Sequence, residues 1–164
     1  VGQAGSAAKN ARDVAKLAYQ KGSVMLKKRG WSEAEKHLQE AVKAKPDEPR
    51  YWQKLGWSIY QNTEDREDSE RLEEASKCWG KALELNDEDA ESHYYASLYH
   101  KAKGDRNRAR RALEQAVKLK PKHVEAQREL RLMKMRMSKE EKKGAGGGFL
   151  AGLLASFKKK KEGK

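Results

Sequence analysis

With a single cysteine, Cys78, the chain cannot close an internal disulfide, so an oxidised scaffold is excluded and a reducing cytosol is the expected compartment. Proline is nearly as scarce, with 3 residues in 164, and so interrupts long helices at few places. No run of residues approaches the roughly 18 apolar positions of a membrane-spanning helix, and no charged-then-apolar leader opens the chain. Val1 stands first in place of methionine, which makes an upstream segment the expectation. The one glycine-rich stretch, Gly144–Gly148, lies late in the chain and has the character of a linker rather than of a phosphate loop leading into a helix. The four histidines, His37, His93, His100 and His123, have no metal-ligand spacing among themselves or with Cys78. His93 and His100 share a helical face, but no acidic partner completes a site, which favours packing or groove lining. No catalytic residues, metal, cofactor or small-molecule substrate are therefore expected, and the chain reads as a non-enzyme.

What the sequence does have is helix-forming residues in a repeating pattern. Charged residues make up 38% and hydrophobic residues 37% of the chain, dominated by Ala, Leu, Glu, Lys and Arg, which lose least on entering a helix. Three segments share one spacing: Ala34, Leu38, Ala41; Ala75, Trp79, Ala82; and Ala109, Leu113, Ala116. Five residues after the last alanine stand Pro46, Asp87 and Pro121. The offset from Ala75 to Ala109 is 34 residues and that from Ala34 to Ala75 is 41, so the middle unit carries a seven-residue loop insertion between its two helices.

This pattern resembles the tetratricopeptide repeat, a 34-residue helix–turn–helix unit. Trp52, Leu55 and Gly56 match the family's first-helix signature in the middle unit, with Ile59 in place of the usual tyrosine. The first unit keeps Gly22 and Met25 but has Ala18 and Lys21, and the third departs further, with His93, Ala96, Ser97 and His100. The resemblance covers Ala11 to Met137 and implies an all-α, right-handed superhelical stack of about three units plus a C-terminal capping helix. A fainter likeness, resting on the short tail, is to the C-terminal part of larger bacterial proteins, some with an N-terminal J domain.

Local signals agree with that architecture. Helices are predicted over 8–29, 32–44, 48–62, 70–85, 88–103, 106–119 and 122–142. Ala34, Ala75 and Ala109 supply small residues where paired helices cross, and Gly30 and Gly104 suit left-handed helix ends. Ser32 and Asp105 suit N-caps, while Pro46 and Pro121 terminate second helices. The organisation expected is a flexible lead over 1–10, a repeat domain over 11–143 with an acidic insertion at 62–74, a linker over 144–148 and a tail over 149–164.

In the family the first helices line a concave groove. Carried onto this chain, the groove positions are Lys16, Tyr19, Ser23 and Leu26; Arg50, Gln53, Trp57 and Tyr60; and Glu91, Tyr94, Leu98 and Lys101. Aromatic and apolar residues predominate, which suits interface anchoring, though any single aromatic has a second reading as filler between units. Chaperone-binding members clamp a C-terminal carboxylate with a lysine and asparagines. Tyr19, Ser23, Gln53 and Trp57 stand at the corresponding places, so that clamp is absent and the expected ligand is an apolar or aromatic-anchored protein segment.

Charge is distributed unevenly. The insertion from Asn62 to Glu74 carries seven acids (Glu64, Asp65, Glu67, Asp68, Glu70, Glu73, Glu74) against Arg66 and Arg71, and reads as a solvated loop and helix start, with docking of a basic partner the second reading. From Arg128 to Lys164 there are twelve Lys or Arg against four Glu, a net +8 of the chain's +12. Within the tail, Phe149, Leu150, Leu153, Leu154 and Phe157 fall on one helical face, followed by Lys158, Lys159, Lys160 and Lys161. That stripe is expected to contact a partner, an anionic membrane or the chain's own repeats. Nucleic-acid binding is disfavoured because no basic repeat face is interleaved with aromatics. The sequence thus predicts a cytoplasmic adaptor or scaffold for protein–protein interaction, with the tail as a second contact. The alternative is a peripheral membrane-tethering module.

Overall fold

The computed structural model describes residues 2–63 and 69–140. These residues form helices α1 (Gly2–Lys27), α2 (Trp31–Ala44), α3 (Pro49–Gln61), α4 (Ser69–Leu85), α5 (Ala90–Ala102) and α6 (Arg106–Leu119), then α7 over 124–140, with no strand among them. α1 pairs with α2, α3 with α4 and α5 with α6, and successive pairs stack through α2–α3 and α4–α5. The result is an all-α helical repeat stack. Ala126 and Met133 of α7 pack into a cluster with Ala109, Leu113 and Ala116 of α6, so α7 closes the last pair.

The alanine spacing explains the pairing. Ala34, Ala41, Ala75, Ala82, Ala109 and Ala116 are all fully buried, and between them Leu38, Trp79 and Leu113 reach toward the partner helix. Each large side chain needs a small residue opposite. A Cβ placed on Gly22 would stand 2.7 Å from Leu38 Cγ, and one on Gly56 only 2.6 Å from Trp79 Nε1. Ser97 holds the equivalent place in the third unit and is 2% exposed, its hydroxyl bonded to the Tyr94 carbonyl.

Turns follow the local chemistry closely. Pro46 and Pro121 bar αR geometry from the residue before them, and Lys45 (φ −147°, ψ 85°) and Lys120 (φ −133°, ψ 85°) end α2 and α6 in matching extended conformations. Asp105 caps α6 by accepting from the Arg108 amide. Seven residues, 62–68, separate α3 from α4, against three at 28–30 and 103–105. Ala75 lies three residues deeper in α4 than Ala34 and Ala109 do in α2 and α6, so the seven-residue surplus is part loop and part an extended start of α4 rather than loop alone.

Three expectations are corrected. The left-handed residue ending α1 is Arg29 (φ 60°), not Gly30, while Gly104 (φ 74°) ends α5 as expected. Both ends use the same pattern, Gly30 N–H to Met25 O and Asp105 N–H to His100 O, so the turn geometry overrides side-chain preference at Arg29. Ser32 lies inside α2, whose N-cap is Gly30, because the tight turn leaves no residue between cap and helix. The lead over 1–10 is helical from Gly2, where alanine-rich sequence favours continuing α1 toward the N-terminus. The linker over 144–148 and the tail, with Phe149, Leu150, Leu153, Leu154, Phe157 and Lys158–Lys161, lie outside the described residues.

Candidate partner-binding groove

The aromatic residues of the first helices form two groups of ring contacts. Tyr19 of α1 stacks on Tyr51 of α3 with ring centroids 4.8 Å apart. The Arg50 guanidinium sits 5.6 Å from the centre of the Tyr19 ring. Further along α3, Trp57 stacks on Tyr95 of α5 at 4.7 Å and on Tyr60 at 5.7 Å. Tyr95 also meets Trp79 at 5.6 Å, and Tyr94 meets His123 at 4.9 Å. Tyr51, Tyr95 and Trp79 are buried, whereas Tyr19, Trp57, Tyr60 and Tyr94 are half-buried. Each half-buried ring has one side against the core and another side available.

Between α1 and α3 a depression of about 420 Å³ is lined by Tyr19, Ser23, Leu26, Lys27, Lys54 and Trp57. The Ser23 hydroxyl oxygen is buried there without a hydrogen-bond partner among the described residues. An unsatisfied buried hydroxyl costs about 1–3 kcal/mol. Lys27 and Lys54 reach the same depression. Neither has an acidic partner among the described residues.

Of the sequence-predicted groove residues, Tyr19, Ser23, Leu26 and Trp57 therefore converge on one depression. Tyr60, Tyr94 and Leu98 pack partly against the same core, and Lys16 and Arg50 are exposed. Gln53 is instead turned inward: it is 7% exposed and its amide donates to Asp89 Oδ2, the carboxylate that caps α5 through the Ser92 amide. It joins α3 to the N-cap of α5. Lys101 is held in an ion pair with Glu129 at 2.6 Å, bridging α5 to α7, and Glu91 lies 3.5 Å from both Lys120 Nζ and His123 Nε2. Lys27 and Lys54 were missed. The available signal was that Lys54 falls one turn after Arg50 and one before Trp57.

Burial pushes the Tyr94 and Tyr95 phenols upward, so both stay neutral. Burial also lowers His100, which keeps it uncharged near neutrality. Cys78 is pushed up to about 12, chiefly by burial, which leaves it a thiol with no nucleophilic character. Among the described residues no group of three His, Cys, Asp or Glu could hold a metal ion. Within the acidic insertion, Glu74 pairs with Arg71 on the same helix, whereas Glu73 accepts from the Tyr99 hydroxyl and from Lys103 and so ties α4 to the end of α5. The positive charge is less confined to the tail than the sequence suggested: five of the twelve cations counted from Arg128 lie on α7, namely Arg128, Arg131, Lys134, Arg136 and Lys139.

Comparison with known proteins places these features. Residues 90–123 match the tetratricopeptide repeat family model. The match falls on the third unit rather than the middle one, whose insertion breaks the 34-residue period. Among solved structures, the chain is similar to the first repeat domain of Spaghetti (RPAP3) bound to the HSP90 peptide SRMEEVD, at 18% identity and a TM-score of 0.68, covering 77% of this chain and 95% of that one. It is also similar to the Arabidopsis OM64 domain, at 14% identity and a TM-score of 0.67 over 75% of this chain and 96% of that one. The Sgt2 domain from Aspergillus fumigatus matches at 15% identity and a TM-score of 0.66, over 78% and 82% of the two chains. No curated protein matches the chain in sequence. The chain thus has the fold of tetratricopeptide repeat domains, three helix pairs closed by α7, and its third pair, residues 90–123, matches that repeat's family model.

Proposed function

We propose that the chain is an adaptor that grips a segment of a partner protein against α1 and α3, with Tyr19, Leu26 and Trp57 as the apolar anchors. The observation that carries this reading is the depression between Tyr19 and Trp57, where half-buried rings meet two lysines that have no acidic partner among the described residues. Rings backed by core residues lose little conformational freedom on binding, which suits interface anchors. The similar RPAP3 domain, bound to an HSP90 peptide, supports a peptide as the ligand class. By the family resemblance, Tyr19, Ser23, Gln53 and Trp57 stand at the carboxylate-clamp places, which argues against a clamped C-terminal carboxylate. Lys27 and Lys54 nonetheless make an acidic flank beside an apolar or aromatic anchor the best complement, since nothing else among the described residues neutralises them.

The test is selection of random displayed peptides on the full chain, followed by titration of the best binder. Selected sequences are expected to combine an aromatic or aliphatic residue with neighbouring Asp or Glu. Trp57→Ala should weaken that peptide about 30-fold, the loss typical of a truncated aromatic anchor. Because Trp57 also packs on Tyr95, Lys54→Glu serves as the second variant; it leaves the core untouched and should weaken binding while the helical signal stays unchanged. Full affinity in both variants would place the binding site elsewhere.

A further inference from the structure

α7 presents a face to solvent that nothing among the described residues covers. Val124, Met135 and Leu132 are 68%, 59% and 37% exposed, and with Gln127, Arg128 and Arg131 they line a shallow depression of about 460 Å³. At about 100° per residue these positions fall on one side of the helix. Two of the acids of α7 are engaged elsewhere, Glu129 with Lys101 at 2.6 Å and Glu140 with Arg106, while Glu125 is exposed beside Val124. Arg128 and Arg131 have no acidic partner among the described residues. The face is therefore apolar at intervals and cationic between them.

We propose that this face of α7 seats the chain on an anionic lipid surface. A packed helix is a poor occupant. Where the earlier pairs cross closely, the first helix offers Gly22, Gly56 or Ser97; 34 residues after Ser97 stands Arg131, whose bulk and charge keep a second helix away. The face also holds no aromatic residue to anchor a protein partner. A bilayer surface makes neither demand. It needs shallow apolar insertion and delocalised positive charge, and stable attachment takes two such signals. Lys158–Lys161, further along the sequence, supply more cations of the same kind. This surface is separate from the groove and does not depend on the groove reading.

Flotation of the full chain with phosphatidylcholine vesicles, with and without phosphatidylglycerol, tests the proposal. Flotation is expected with phosphatidylglycerol alone, and it should weaken as salt is raised. Arg128→Gln with Arg131→Gln should lower partitioning about 30-fold, at about fivefold per cation. Val124→Asp with Met135→Asp should also abolish most of it, and because these four side chains are exposed, circular dichroism should not change. Replacing Lys158, Lys159, Lys160 and Lys161 by Gln should leave residual binding that the α7 substitutions remove. Absence of flotation with the anionic vesicles would overturn the proposal. So would α7 variants that float as well as the unaltered chain, or flotation that is indifferent to phosphatidylglycerol.

Discussion

Gly56 and Gly80 lie in the interiors of adjacent paired helices, α3 and α4, and the same substitution should act on them with opposite sign. In an open helix interior, Gly→Ala gains about 0.8–1.0 kcal/mol from backbone propensity. Gly80 is such a place: a Cβ there would meet nothing within 4 Å. At Gly56 the new Cβ would stand 2.6 Å from Trp79 Nε1, 2.8 Å from its Cδ1 and 3.0 Å from the Ala75 carbonyl. Trp79 has no room to retreat, being fully buried with Tyr60 and Tyr95 against it. Overpacking of this kind costs about 1–3 kcal/mol and should outweigh the propensity gain. Gly80→Ala should therefore raise the melting temperature by about 2–4 °C, and Gly56→Ala should lower it by a comparable or larger amount. Thermal unfolding followed by circular dichroism at 222 nm reads both. A Gly56→Ala variant as stable as the parent would mean that α3 and α4 do not cross in this register.

Three further outcomes are expected. Ala82→Leu, at a fully buried crossing, should destabilise by about 1–3 kcal/mol in chemical denaturation, and an unchanged transition would refute the close approach. Arg29→Gly should stabilise by about 1 kcal/mol, because a left-handed residue with a Cβ is strained where glycine is not; loss of stability would show that the Arg29 side chain matters more than its backbone. Cys78 should resist thiol reagents until the chain unfolds. Its raised folded pKa favours the protonated form, so its contribution to stability should be intact below pH 9 and fall away as pH rises toward about 12. Rapid labelling of the native chain would contradict its burial.

The stack was legible because its periodic features are set by neighbours in sequence. The Ala–x₃–large–x₂–Ala spacing marks each second helix, Pro46 and Pro121 mark two of its ends, and the surplus of seven residues marks the insertion. What escaped was decided by residues far apart in the chain. Gln53 looked like a groove residue from its place in α3, yet its partner Asp89 lies 36 residues on and turns it inward. Lys101 is committed by Glu129, 28 residues away. Lys54 was not among the groove positions read from the sequence, and the packing of α3 beside α1 places it with Tyr19 and Ser23. Arg29 took the left-handed position because that turn is fixed by backbone hydrogen bonds to Leu26 and Met25, whatever side chain stands there.

The aromatic residues also resist a division into core and groove. Trp57 lies against buried Tyr95, which lies against fully buried Trp79, which in turn fills the space beside Gly56. A contact made at the exposed side of Trp57 is thus two rings from the closest helix crossing in the chain. Under the proposed reading this has two consequences. The groove is stiff before a ligand arrives, so binding should involve little ordering of the protein. Any segment that packs on Trp57 should also stabilise the middle pair by mass action, raising the unfolding temperature as its concentration exceeds its dissociation constant. Stability and recognition in this protein are then properties of the same stacked rings, and a substitution such as Trp57→Phe, which keeps a ring on Tyr95 but reduces the area offered to a ligand, should separate them by weakening binding more than it weakens the fold.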